Sequence, residues 1–406
     1  MKAKERRSFG RSLALRLAFI ATLILFLCSL LTIFTAPTSS LWIVAIVAAE
    51  WGHYWAIVSL LLAVITWRRG RIGNLTAALA VVTAGLFISP VLRAAQVGTK
   101  LAGQCEAAFG GTPNANGRPS PFTMFDLFRR DTASQIEVHE HVYANDGPKQ
   151  LKLDLYRSIA ATGPLPLIVV IHGGSWNGGS KAQLPAINRY LASERYAVAA
   201  INYRHAPNWK SPAAVEDVFR AIEFLKNNAA DLQLDPTRIA LIGRSAGAQI
   251  ALSTAYAGRE PAIRGVVDFY GPADLVFGYE VPSRRWVLDS RKVLADYLGG
   301  SPEQKPESYA AASAINFVNP TTPPTLLIHG LLDPIVWPAQ SQRLAARLKA
   351  AARPHLLLEL PWATHGCDAN LSGPSGQLSL YAIDRFLASV FALAGPAVPN
   401  AGGGGE

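Results

Sequence analysis

The stretch "LIGRSAGAQIAL" (Leu241 to Leu252) decides how this chain is read. Its centre, Gly243-Arg244-Ser245-Ala246-Gly247, joins the apolar run "RIALIG" to "AGAQIALSTAYA", which is able to start a helix. A Gly-x-Ser-x-Gly turn between a strand and a helix is so sharp that side chains two before and two after the Ser would collide. The turn exposes the Ser Oγ and aims the N-terminus of the next helix at developing negative charge. Alone the pattern is weak, because strand-to-helix turns are rich in Gly and Ser anyway. Whether Ser245 is a nucleophile depends on its companions.

Upstream, "IHGGSW" (Ile171 to Trp176) follows another apolar run, and its glycines let backbone N–H groups approach a reacting carbonyl. The Ala246 N–H would join them from the other side. Downstream, "HGLLDPIV" puts Asp333 just beyond a late strand, and "LPWATHGCD" puts His365 beyond the final one. In a Ser, Asp, His order, His365 would take the Ser245 proton while Asp333 holds the imidazole tautomer and stabilises its cation. Taken singly, Asp333 before Pro334 reads equally as a turn cap, and His365 as a surface loop residue.

The rest of the C-terminal two-thirds is orderly. "IEVHEHVY" and "LKLDLYR" alternate in period two. "PLIVVIHGG", "YAVAAINYR", "IRGVVDFYG" and "PTLLIHG" are short apolar runs with helical stretches such as "SPAAVEDVFRAIEFLKNNA" between several of them. This predicts an α/β fold, a mostly parallel sheet with helices on both faces.

These residues resemble the α/β-hydrolases, in particular the carboxylesterases related to hormone-sensitive lipase and to bacterial feruloyl-esterase-like enzymes. The matching segments are "HGGSW", "INYRHAP", "SPAAVEDV", "LDPTRIALIGRSAG", "YLGGSPEQKPESYAAASAINFV", "PPTLLIHG" and the Asp333 and His365 segments, within residues 136–393. The resemblance implies hydrolysis of carboxylic esters without metal or organic cofactor, with Gly174, Ser175 and Ala246 N–H groups as the oxyanion hole. It also leaves amide or formamide hydrolysis, acyl transfer on the same triad, and a non-catalytic binding role as alternatives. Ser175 stands where lipase-like relatives carry a third Gly, and Arg244 where an acidic residue or His is more usual; both departures concern substrate more than chemistry. Leu275 to Gly300, where related folds place cap elements, supplies Phe277, Tyr279, Trp286, Leu288 and Tyr297. Trp176 and Trp286 are the expected pocket residues, for small to medium uncharged esters.

Of 406 residues, half are hydrophobic and 16% charged, too apolar for a wholly soluble enzyme. The net charge of +10 is not spread evenly: residues 1–100 carry eleven Lys and Arg against Glu5 and Glu50, leaving the rest near neutrality. A basic excess confined to an apolar third points to membrane orientation and away from nucleic acid. Spans are expected at about 15–34, 41–67 and 75–92, making 1–95 an anchor. Residues 96–130 read as a linker, 131–395 as the catalytic domain and 396–406 as a flexible tail. The uncharged "TAPTSS" and the arginine-rich "WRRGRIGN" connectors place the N-terminus in the cytoplasm and the hydrolase in the periplasm or cell exterior. Glu50 and His53 then fall near the outer interface. His139 and His141 share one strand face without further ligands at metal spacing, and read as a solvent-facing pair. Cys105 and Cys367, both in an oxidising compartment, are candidates for pairing.

Overall fold

The computed structural model describes residues 2–111, 117–129, 135–146 and 149–392. The expected start of the catalytic domain at 131 and the expected tail at 396–406 lie outside them. Four helices come first: α1 (Lys2–Ser29), α2 (Ser39–Glu50), α3 (Gly52–Thr66) and α4 (Gly70–Phe109). An eight-stranded sheet follows, in the order β1-β2-β4-β3-β5-β6-β7-β8. Its strands are β1 (Ile136–Asp146), β2 (Lys149–Ser158), β3 (Leu165–Ile171), β4 (Ala197–Ile201), β5 (Leu234–Arg244), β6 (Ile263–Phe269), β7 (Thr325–Gly330) and β8 (His355–Leu360). β1, β2 and β4 pair antiparallel, and β4 through β8 run parallel. The central strands are buried along their whole length, which is why they read as unbroken apolar runs.

The remaining helices are α5 (Ala186–Ser193), α6 (Ala213–Asn227), α7 (Ala246–Tyr256), α8 (Leu275–Glu280), α9 (Ser290–Leu298), α10 (Pro306–Ala312), α11 (Ala339–Ala350) and α12 (Pro374–Ala392). On one face α6, α7 and α11 cover the sheet through Val218, Ile222, Ile250 and Leu344. On the other, α5 and α12 do so through Leu191, Leu378 and Phe386. Helices α8 and α9 form the cap between β6 and β7.

The N-terminal third departs from expectation in two ways. Helix α4 does not stop at a linker: it continues to Phe109, and Ala94, Leu101 and Cys105 are buried in the same core as α12. Its second half, "LRAAQVGTKLAGQCEAAF", keeps an apolar face, so residues 96–109 belong to the outer helical layer of the hydrolase domain. The expected linker therefore does not begin at 96, and within it Phe122 packs on the core of the hydrolase domain, Leu127 is buried and Arg118 bonds Asp384 and Gln377. The second segment is not one straight span either. Helices α2 and α3 meet at Trp51 with an 82° bend. By length and composition, Ser12–Thr32 and α4 contain stretches able to cross a bilayer, and α2 with α3 makes a third crossing only as a broken one.

Cys105 and Cys367 are both free and buried. His139 is largely exposed with its Nε2 3.3 Å from Glu137.

Candidate active site

Ser245 lies between β5 and α7 with φ 53° and ψ −120°, a backbone conformation that costs roughly 1–3 kcal/mol in a non-glycine residue. The two flanking glycines make it attainable. A Cβ at Gly243 would come within 2.3 Å of the Gly247 carbonyl oxygen, and one at Gly247 within 2.3 Å of the carbonyl oxygens of both Ile171 and His172. The turn is thus pressed directly against the end of β3. Its neighbour there is the loop of Gly173, where a Cβ would sit 3.3 Å from the Ser245 Cβ.

That loop is wound tightly. Gly174 has φ 124°, and Ser175 and Trp176 follow with φ 53° and 58°. The Gly174 carbonyl accepts from Asn177 N at 3.1 Å and Gly178 N at 3.0 Å, and Gly173 N donates to Gln183 Oε1 at 2.8 Å. Tyr203 donates its hydroxyl to the His172 carbonyl and stacks on the His172 ring. Burial drives the His172 imidazole down to about 4, so it stays neutral around neutrality. Ala246 opens α7, and its N–H has no carbonyl one turn earlier within the helix to bond.

Asp333 and His365 meet from the loops after β7 and β8. The His365 Nδ1 is 2.6 Å from Asp333 Oδ2, and both side chains are buried. A carboxylate only accepts, so the hydrogen between them sits on Nδ1. Asp333 Oδ1 accepts from the backbone N–H groups of Ile335 and Val336 at 2.8 and 2.9 Å. Burial opposes the charge on Asp333, but His365 and His329 outweigh it and hold the carboxyl down at about 2. His329 was not singled out in the sequence. Its Nε2 lies 3.3 Å from Asp333 Oδ2 and 2.9 Å from the Val336 carbonyl, while Nδ1 is 2.6 Å from Ser341 Oγ. The imidazole of His365 also packs 4.4 Å from the Tyr270 ring, next in chain to Phe269, whose carbonyl accepts from Ser245 N.

Arg244 gains a reason here. It is fully buried and ion-paired with Asp368, which also accepts from the Tyr270 hydroxyl. The Ser245 turn is thereby tied to the His365 loop. A charged residue inside "GRSAG" was the available signal, but its partner was not readable from spacing.

A pocket opens over Ser245, with Ser175, Trp176 and Ala246 on one side and Ile335, Val336 and Trp337 on another. Val281, Ser283, Leu288 and Leu294 of the cap close it. Trp176 lines this pocket: it is buried, stacks on Tyr297 at 4.5 Å, and donates Nε1–H to Gln249 at 2.8 Å. Trp286 does not. It is 82% exposed and is not among the lining residues: the loop buries Val287, sends Leu288 to the pocket and leaves Trp286 on its outer side. Phe277 and Tyr279 also lie outside the lining, and Trp337 takes the aromatic place instead.

A further partner comes from the N-terminal third. Trp42 of α2 donates its indole N–H to the His365 carbonyl at 2.8 Å, with the two rings edge to face at 6.1 Å. Glu50, at the end of α2, accepts from Ser375 N at 3.2 Å, and its carbonyl accepts from Asn370. The His365 loop therefore lies between the hydrolase sheet and α2. Tryptophans are frequent at membrane interfaces, and that familiarity hid this one.

Residues 153–348 match the BD-FAE family. The chain is 28% identical over 304 residues to the probable carboxylic ester hydrolase LipM of Mycobacterium tuberculosis, covering 70% of this chain and 67% of that protein. It is 31% identical over 271 residues to esterase LipC of the same organism, covering 62% and 66%. The match thus spans about two-thirds of these relatives. Among solved structures, a bacterial heroin esterase superposes with a TM-score of 0.54 at 24% identity, over 64% of this chain and 85% of that one, which speaks for the fold. With the parallel sheet, the Ser245 turn and these relatives together, the chain belongs to the carboxylesterase group of the α/β-hydrolases.

Proposed function

We propose that this protein is a membrane-anchored serine hydrolase that cleaves carboxylic esters through an acyl-enzyme on Ser245, with its hydrolase domain on the extracytoplasmic side. Two observations support the reading: a buried Asp333–His365 pair in the loops after β7 and β8, and a strained Ser245 that lines the pocket. Ser245 Oγ attacks the ester carbonyl while His365 Nε2 takes its proton; the carbonyl becomes an oxyanion facing the Gly174, Ser175 and Ala246 N–H groups. Collapse expels the alcohol, which receives that proton from His365. Water, deprotonated by the same imidazole, then releases the acid and restores Ser245. The apolar pocket suits a small to medium, uncharged acyl or aryl group.

Ser245→Ala tests the assignment. It should abolish hydrolysis of a short aryl ester while the melting temperature stays near wild type. Activity within a few-fold of wild type would remove Ser245 from the mechanism.

A further inference from the structure

Several exposed apolar side chains are gathered around α2, and they lie at both its ends and along its outer side. At its start, Ser39 N donates to the Trp286 carbonyl at 3.1 Å, and Trp286 is 82% exposed beside the exposed Arg284 and Arg285. Along the helix, Ile43 and Val47, one turn apart, are exposed, while Trp42 and Glu50 bond the hydrolase domain. At its end, Tyr54 of α3 meets Phe128 edge to face, and in the same short helical turn Phe125 is 82% exposed. Helix α2 stands at 82° to α3. The bend carries α2 away from the direction of α3, so where α3 enters a bilayer, α2 runs close to the membrane plane.

We propose that Trp286, Ile43, Val47 and Phe125 rest together on the outer leaflet, and that the ester is drawn from that leaflet: an amphiphile whose apolar body stays in the bilayer while its short acyl group enters the pocket. This rests on the hydrolase reading above. A tryptophan and two arginines on one loop suit the headgroup zone, the ring at the carbonyl level and the guanidiniums on lipid phosphates. Arg285 also pairs with Asp289 at 3.4 Å, which leaves its outer N–H groups available. The cap loop links this surface to the chemistry. Trp286 is two residues from Leu288 and three from Ser283, both of which line the pocket over Ser245. Seating the loop on the bilayer places the mouth of the pocket at the lipid surface, so a membrane-held ester need not be extracted into water.

The test uses the full chain in nanodiscs of phosphatidylcholine with phosphatidylglycerol, and two esters of the same acid: a water-soluble aryl butyrate and hexadecyl butyrate held in the bilayer. The combined variant Arg284→Glu, Arg285→Glu and Trp286→Asp should lower turnover of the bilayer ester at least tenfold and leave the aryl ester within twofold. Equal loss on both esters, or loss on neither, overturns the proposal. A bimane label on Trp286→Cys should be quenched by brominated outer-leaflet lipid, and an unquenched label overturns it as well. Wild-type protein inactive on the aryl ester would instead remove the hydrolase reading, as would activity surviving in Ser245→Ala.

Discussion

Asp333 bonds with both its oxygens at once. One oxygen holds the Ile335 and Val336 amides, and the other faces His365 and His329. Its folded carboxyl sits at about 2, below the ordinary value near 4, so its contribution to stability is present above pH 4 and is lost as pH falls through 2. That contribution is roughly 2 kcal/mol. Asp333→Asn should therefore flatten the loss of stability between pH 4 and 2, as followed by urea unfolding at several pH values, besides abolishing activity. Trp42 acts one step further out. Its N–H bond to the His365 carbonyl is worth about 0.5–1.5 kcal/mol, so Trp42→Phe should lower kcat by about 2- to 10-fold with KM unchanged, since Trp42 does not line the pocket. Turnover measured per Ser245 titrated with a fluorophosphonate checks this: a merely misfolded fraction would lower the titre and leave turnover per site intact.

At the level of elements, the Ser245 turn and the His365 loop are joined by the buried Arg244–Asp368 pair. Removing one partner leaves an uncompensated buried charge, so Arg244→Met should destabilise by about 3–5 kcal/mol, and Arg244→Met with Asp368→Leu should recover most of it. A thermal-melt double-mutant cycle measures the difference. The parallel strands and the loops at their carboxyl ends were legible in the sequence because full burial writes an uninterrupted apolar run that stops at Gly, His or Asp. The cap was not, because an aromatic side chain reads the same whether it faces a pocket or solvent; Trp176 lines the site and Trp286 does not. Nor was the bend at Trp51, since α2 and α3 are equally apolar and only packing against the His365 loop distinguishes them.

Across the whole molecule the boundary between anchor and enzyme lies elsewhere than composition suggests. Ala94, Leu101 and Cys105 of α4 are buried with Leu378 and Phe386 of α12. A fragment starting at 131 lacks them, and uncovering a face that includes one fully buried Leu costs about 1.5–3 kcal/mol for that side chain alone. The 131–406 fragment should consequently aggregate or melt well below the full chain, as light scattering during a thermal ramp would record. For sidedness, a reporter active only outside the cytoplasm and fused after Glu406 should be active; a silent periplasmic reporter with an active cytoplasmic one would reverse the orientation.

Helix α4 is a continuous rod of 40 residues, about 60 Å long, that passes through Pro90; one half is apolar enough to cross a bilayer and the other packs in the hydrolase core. A rod of this kind sets phase as well as distance: each inserted residue turns everything beyond it by about 100°. The anchor and the enzyme are thus meshed like two gears on one shaft, and neither can be exchanged for a foreign counterpart by matching length alone. A borrowed anchor in place of residues 1–109 would leave α12 uncovered and the His365 loop without Trp42.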